Sequence, residues 1–489
     1  MRRLLASLAA CWGLLPSAVW ADAVMATIDS GLVVGVGNDQ VAAFKGMPYA
    51  TAPVGALRWR PPGPVQPWVG ERQAVDYGAS CAQAGIPAFT PRTSQGAVTS
   101  EDCLFLNVWA PAKATGVPVV VWIHGGGNTG GTSAQTFYDG SAFARDGVIL
   151  VSLNYRLGLF GFFAHPALQS ADANFGLLDQ IAALAWVQRN IRAFGGDPGR
   201  VTVMGESAGG QDILALLTAP AARGLFARAI IESPGGGWER YPTLSQARSQ
   251  GESLARKLGA TTAEELRKLS VDSLVQAGAS QEIGPILDGT ALTETPLRAV
   301  LASHVTAATP ILIGSNSGEG SLLPSDITLA NGEIQFTPAE VTALQGLYGP
   351  VDDHALARAV FRDGLFAGPV RFIAGHWPAS AYVYRFDYVA AVMRLRRSDA
   401  WHGSEVPYVF DTANFANAED DRKVVNLIHT CWVNFIKEAV PKCPGMPDWP
   451  AYRSTDDHLM RVTDAPALVP NPAAAPLALL ASKLPTNGK

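Results

Sequence analysis

Ser207 stands between Glu206 and Ala208, is bracketed by Gly205 and Gly209, and is reached directly from the apolar run Val201-Thr202-Val203-Met204. A Gly-x-Ser-x-Gly pentapeptide after a strand reads as a tight strand-to-helix turn. Its small neighbours let the serine hydroxyl stand clear of the backbone for attack on a carbonyl. The chemistry this points to is acyl transfer. With 49 glycines in 489 residues, chance alone supplies roughly 0.3 such pentapeptides, so the reading needs partners elsewhere in the chain.

A serine hydroxyl is a weak nucleophile; it needs a base, an acid to orient that base, and donors for the developing oxyanion. In turns of this kind the acid and the histidine follow the nucleophile in chain order, each after a strand. The run 310–313 empties into Gly314-Ser315-Asn316-Ser317-Gly318-Glu319-Gly320, which makes Glu319 the candidate acid. After the run 382–386 comes Trp401-His402-Gly403-Ser404-Glu405, and His402 is the candidate base. The other histidines after Glu319 read as packed or surface residues. His354 falls in a charged helical stretch, His376 precedes Trp377-Pro378, His429 lies in the helical pattern 424–435, and His458 lies in a polar loop. The donors should come from the residue after the nucleophile, Ala208, and from a glycine turn after an earlier strand. The run 119–123 ends in His124-Gly125-Gly126-Gly127, where missing Cβ atoms let backbone N–H groups approach an oxyanion. His124 reads as a structural member of that turn.

These residues need a sheet to position them. Runs at 117–123, 148–152, 201–204, 228–231, 310–313 and 382–386 are apolar throughout rather than alternating, as suits strands buried on both faces. Helical patterns at 177–192 and 211–217 lie between them, so an α/β fold with a mostly parallel central sheet covered by helices on both faces is expected. No linker divides 22–489, which reads as a single catalytic domain. A helical insertion at about 235–305 carries an amphipathic pattern at 249–258 and a capping-box signature, Thr261-Thr262-Ala263-Glu264. Insertions of this kind form the walls of a substrate pocket. The Pro/Ala-rich tail 470–476 reads as loop.

The formal net charge of −5 shows no basic excess, which excludes an electrostatic footprint for nucleic acid. Hydrophobic residues make up 48% and charged residues 16% of the chain, below the roughly 25% charged of average domains, so a large share is buried. Arg2 and Arg3, the apolar stretch 4–15 and the small residues Val19 and Ala21 read as a signal peptide, 1–21, cleaved after Ala21. The chain is thus expected to be exported, periplasmic or secreted. Leu8-Ala9-Ala10-Cys11 also has the form of a lipoprotein box that would anchor the chain through Cys11, although the apolar run continues past it. No later apolar run spans a membrane. Four cysteines then remain, Cys81, Cys103, Cys431 and Cys443; an even count in an exported chain favours disulfides, with buried free thiols the alternative. No zinc spacing, Walker A loop or dinucleotide fingerprint is present, so no cofactor and no metal are expected. No feature specifies an oligomeric state.

With these pieces assembled, the chain resembles the type-B carboxylesterases, a family of bacterial esterases and cholinesterases. The resemblance runs through FKGMPYATAPVGALRWRPP (44–62), EDCLFLNVWAP (101–111), HGGG (124–127), NYRLGLFGF (154–162), NFGLLDQ (174–180), NIRAFGGDPGRVTVMGESAGG (190–210), GEG (318–320) and HGSEVPYVF (402–410). It implies an α/β-hydrolase fold and hydrolysis of small-molecule carboxylic esters through a serine acyl-enzyme, with Ser207 as nucleophile, Glu319 as acid and His402 as base. It further implies oxyanion donors at Gly126, Gly127 and Ala208, a Cys81–Cys103 disulfide, and ion pairs joining Arg58 to Glu101 and Arg156 to Asp179. Cys431 and Cys443 match no bridge of the family, but twelve residues apart they are close enough to close a local loop. An amidase or lactonase shares this machinery, and a catalytically silent recognition protein shares the scaffold. Asn128 departs from the family, where an aromatic residue is frequent, as do Gly210 and Gln211. Glu206 reads either as a carboxylate serving the site or as a hydrogen-bonded structural group, and Ser233 either as a partner of Glu319 or as a turn residue.

Overall fold

The computed structural model of the chain describes residues 22–85, 98–235, 241–279, 281–305, 309–331, 335–415 and 418–480. The expected leader 1–21, with Cys11, lies outside them. Every run read as a strand is one: Val117–Ile123, Ile149–Leu153, Gly196–Glu206, Arg228–Glu232, Ile311–Asn316 and Ala381–Phe386. They lie in a 13-stranded sheet. Spatially, Ile149–Leu153 is followed by Val117–Ile123, Gly196–Glu206, Arg228–Glu232, Ile311–Asn316, Ala381–Phe386 and His458–Val462, all parallel. Antiparallel strands extend both edges, from Asp22–Ile28 on one side to Ala467–Pro470 on the other.

Strand alternation sorts the apolar residues onto two faces. In Val117–Ile123, Val119, Val121 and Ile123 join one core cluster with Leu177, Ile181 and Leu184 of the helix Phe175–Asn190. Val120 and Trp122 join the other, with Val425, Ile428 and Trp432 of the helix Glu419–Glu438. Both faces are therefore covered, which is why these strands lack polar alternation.

Between Arg228–Glu232 and Ile311–Asn316 the chain forms the helices Leu244–Lys257, Ala263–Lys268, Val271–Gly278 and Pro296–Leu301. The capping box lies one residue later than expected: Thr262 is the N-cap and Glu265 its partner. Glu265 accepts from the backbone N–H of both Thr261 and Thr262, while Glu264 faces outward to Lys268, four residues on, at 2.6 Å. Two further readings are corrected. His458 opens a strand, because the alternating residues behind it, Leu459 and Met460, insert on opposite faces of the sheet. Part of the tail is the helix Ala474–Leu480, which packs Leu477 and Leu480 against Leu344, Leu356 and Val360.

Cys81 is bonded to Cys103, and Cys431 to Cys443. Both expected ion pairs form. Arg58 binds Glu101 through Nε at 2.7 Å and Nη2 at 2.5 Å. Arg156 grips Asp179 with Nε at 2.7 Å and Nη2 at 2.6 Å, and the side chains are 2% and 0% exposed. Arg156 Nη1 also donates to Arg60 O at 2.8 Å, so this pair ties the helix Phe175–Asn190 to a distant N-terminal segment. Breaking a buried pair strands a charge without its counterion. Asp179→Asn is expected to destabilise the fold by about 3–5 kcal/mol, read as a large fall in thermal midpoint; an unchanged midpoint would remove the pair from the structural frame.

Candidate active site

The strand Gly196–Glu206 runs without a break into the helix Ala208–Leu216, and Ser207 is the single residue between them. It sits at φ 56°, ψ −124°, a conformation that L residues rarely occupy. The turn is this tight because the helix starts against the neighbouring strand: a Cβ on Gly209 would lie 2.1 Å from Ile123 O. Ser207 N donates to Glu232 O at 2.9 Å, which fixes the turn to the strand on its other side.

Ala208 is the first helical residue, so its N–H has no intrahelical acceptor. The glycine turn after Val117–Ile123 lies against the elbow, where a Cβ on Gly125 would approach Glu206 O and Oε2 at 2.7 Å and Ser207 Cβ at 3.0 Å. Gly126 has φ 118° and a Cβ there would lie 2.2 Å from Gly130 O, so only glycine closes this turn. His124 is buried behind it. Its Nδ1 faces Gly125 O at 2.9 Å, its ring stacks on Tyr155, and burial pulls its imidazole down to about 4.

Glu319 opens the short helix Glu319–Leu322 directly after Ile311–Asn316 and is fully buried. Its Oε1 accepts from Ser233 Oγ at 2.6 Å and Asn316 N at 2.7 Å, and its Oε2 lies 2.5 Å from His402 Nδ1. Ser233 is thus a partner of Glu319. The loop carrying His402 is joined to the turn of Glu319 by Gly318 N donating to Ala400 O at 2.7 Å and His402 N donating to Ser321 Oγ at 3.1 Å.

His402 Nε2 is buried, makes no hydrogen bond, and lies 3.1 Å from Glu206 Oε1. Burial disfavours the imidazolium, but the carboxylates of Glu206 and Glu319 outweigh it and raise His402 above its ordinary value. Burial likewise raises Glu206, to about 7, although His402 pulls it down. Two further carboxylates, missed in the sequence, lie close behind. Glu232 accepts from Trp432 Nε1 at 2.5 Å, and Glu405 accepts from Asn316 Nδ2. Both are raised by burial and by neighbouring carboxylates, Glu405 to about 8. The strand end at Glu232 and the sequence His402-Gly403-Ser404-Glu405 are their only signals in the chain.

Ser207, Ala208 and Gly127 line a cavity of about 670 Å³. Its walls come from Leu159 to Ala164, from the helix Leu244–Lys257 and the segment after Val271–Gly278, and from Phe361, Leu365 and Phe366. Phe366 also packs edge-on against His402, ring centroids 5.4 Å apart. Among the described residues no group of His, Cys, Asp and Glu side chains could hold a metal ion, and no helix is long and apolar enough to cross a membrane.

The model of the carboxylesterase family matches residues 22–344 and 352–477. The chain is 36% identical over 459 residues to a fumonisin B1 esterase of Sphingopyxis macrogoltabida, covering 86% of this chain and 83% of the relative. It is 37% identical over 461 residues to a para-nitrobenzyl esterase of Bacillus subtilis, covering 87% and 92% respectively. A solved PNB esterase structure superposes with a TM-score of 0.83 at 31% identity, over 94% of this chain and 99% of that one. An α/β-hydrolase sheet carrying a strand–serine–helix elbow is accordingly matched in fold and in sequence along nearly all of the described chain, which belongs to the carboxylesterase family and is a serine carboxylic-ester hydrolase.

Proposed function

We propose that the enzyme cleaves its ester through an acyl-enzyme on Ser207, with His402 as general base and Glu319 as the acid that orients it. The observation that carries this reading is the arrangement of His402, whose Nδ1 is held by a fully buried carboxylate while Nε2 makes no hydrogen bond and lies 3.1 Å from Oε1 of Glu206, the residue before Ser207. An imidazole so held presents its basic nitrogen to the nucleophile's proton. His402 takes the Ser207 proton, Oγ attacks the ester carbonyl, and the oxyanion is received by the N–H groups of Gly126, Gly127 and Ala208. The imidazolium then protonates the leaving alcohol, and water repeats the cycle on the acyl-enzyme. Residues 1–21 serve as a leader for export in this reading, and the two disulfides suit the oxidising compartment it would lead to.

Ser207→Ala should lower kcat for p-nitrophenyl esters by at least about 10⁴-fold with the fold intact by circular dichroism. Glu319→Gln should cost about 10³- to 10⁴-fold. Retention of most activity by Ser207→Ala would sink the assignment, and parallel rates on lactones and anilides test its restriction to esters.

Glu206 supplies a pH-dependent check. Its charge favours the imidazolium of His402, whereas the base must be neutral, so activity climbs as pH rises through the His402 pKa. Glu206→Gln removes that charge, lowers the His402 pKa, and should move the acid limb of the kcat/KM profile to lower pH. A limb that stays fixed or moves upward would show that Glu206 does not act on His402.

A further inference from the structure

One buried carboxylate outside the residues used above joins the helix that begins at Ala208 to the end of the glycine turn. Asp212 lies on the helix Ala208–Leu216, whose first N–H is that of Ala208, and is fully buried. Its hydrogen-bond partners are two amides: Asn128 Nδ2 donates to Oδ1 at 3.1 Å and Gln180 Nε2 donates to Oδ2 at 2.5 Å. Asn128 directly follows Gly126-Gly127, at φ 56° and 1% exposed. Its side chain is thus turned inward at the end of the glycine turn, while its backbone O accepts from Gly158 N at 2.7 Å. Gln180 comes from the helix Phe175–Asn190, next to the Asp179 that Arg156 grips.

Burying a carboxylate among amides is costly, and an apolar side chain of similar size would pack the same space without that cost. What the carboxylate adds is direction, since two oxygens fix two amides arriving from two different elements. Burial raises Asp212 to about 7 against the pull of its two amide bonds. Asn128 Oδ1 and Gln180 Oε1 are buried without partners; a proton on Asp212 can satisfy either once that amide turns over. The ionisable side chains it acts on include Tyr155 and Tyr241, whose hydroxyls burial raises first and Asp212 second.

We propose that Asp212 is a positioning residue for acyl transfer: through Asn128 it holds the glycine turn in register with the Ala208 N–H, so that the donors converge on one oxyanion. This rests on the acyl-enzyme reading above. Donors aimed at the oxyanion act mainly in the transition state, and a misplacement of about 1 Å costs on the order of 10²-fold. The effect therefore belongs in kcat rather than KM.

In Asp212→Leu, kcat for p-nitrophenyl butyrate should fall about 10- to 100-fold with KM within about threefold. Affinity for a trifluoromethyl ketone, whose adduct places an oxyanion on the same donors, should fall by the same factor. Asp212→Asn, which still accepts from one amide and donates to the other, should recover most of the loss. Asn128→Gly keeps the left-handed backbone and removes the amide, and should reproduce the kcat loss even where Asp212→Leu does not fold. Folded variants with wild-type kcat would overturn the inference, as would a kcat loss with unchanged ketone affinity. A wild-type enzyme without turnover, or Ser207→Ala with it, would instead sink the acyl-enzyme reading, so the two failures are distinguishable.

Discussion

The backbone at Ser207 is the constraint on which the rest of the structure depends. A non-glycine residue at φ 56°, ψ −124° costs on the order of 1–3 kcal/mol and persists only where its surroundings leave no alternative. Here they leave none. Gly205 is paired with Ile123 on one side and Ile231 on the other, and Glu206 with Glu232, so the incoming strand cannot shift. On the outgoing side, Gln211 N donates to Ser207 O at 3.0 Å, and the absence of a Cβ on Gly209 lets the helix start in contact with Ile123 O. A buried parallel sheet is rigid enough to hold this strain, and the strain is what lifts one hydroxyl above the strand ends.

Charge behind the elbow imposes a second constraint. Glu206, Glu232, Glu319 and Glu405 are all buried around one imidazole, and four buried anions against one cation would not be tolerated. Their hydrogen bonding differs. Glu319 receives a hydroxyl, a backbone N–H and the imidazole, three donors in all. Glu232 and Glu405 each leave one oxygen without a partner and are pushed toward the neutral form by burial and by neighbouring carboxylates, Glu405 and Glu206 for Glu232, and Glu206 and Glu319 for Glu405. The cluster thus separates by environment into one fully hydrogen-bonded carboxylate beside His402 and others, less fully partnered, that burial raises. Glu206 lies at the boundary, where its state follows that of the imidazole.

What was legible in the sequence follows from locality. The elbow, the glycine turn and the turns that bring Glu319 and His402 together each depend on a few adjacent residues at a strand end, so the placement of Ser207, Gly126, Gly127, Glu319 and His402 was legible from strand-plus-turn patterns. The buried strands were legible because two covered faces leave an unbroken apolar run. The half-exposed edge strand Asp22–Ile28 leaves a weaker, mixed pattern, and in His458–Val462, which is paired on both sides, His458 and Arg461 break the apolar run, so that His458 reads as loop. The capping box slipped by one residue because Glu264 and Glu265 are chemically equivalent, and only the helix's orientation decides which one turns back. Asp212 and Glu232 were not legible at all. A carboxylate in a helix or at a strand end looks solvated until the tertiary structure shows which side it faces.

The same logic explains why the elbow fixes the reaction but not the substrate. The floor of the cavity is built from Ser207, Ala208 and Gly127, held by the sheet, whereas its walls come from segments far apart in the chain. Of the described residues lining it, Glu282 alone carries a formal charge; the rest are chiefly aliphatic and aromatic, with the amides of Gln211, Gln246 and Gln250 among them. An anionic acyl or alcohol group entering this space would meet Glu282 and no cation among the described lining residues, whereas an uncharged ester forfeits little. The helix Leu244–Lys257 and the segment after Val271–Gly278 carry no part of the strained turn, the glycine turn or the loop of His402, so these walls can differ while the floor stays fixed, whereas Phe366 packs on the imidazole itself and is tied to it.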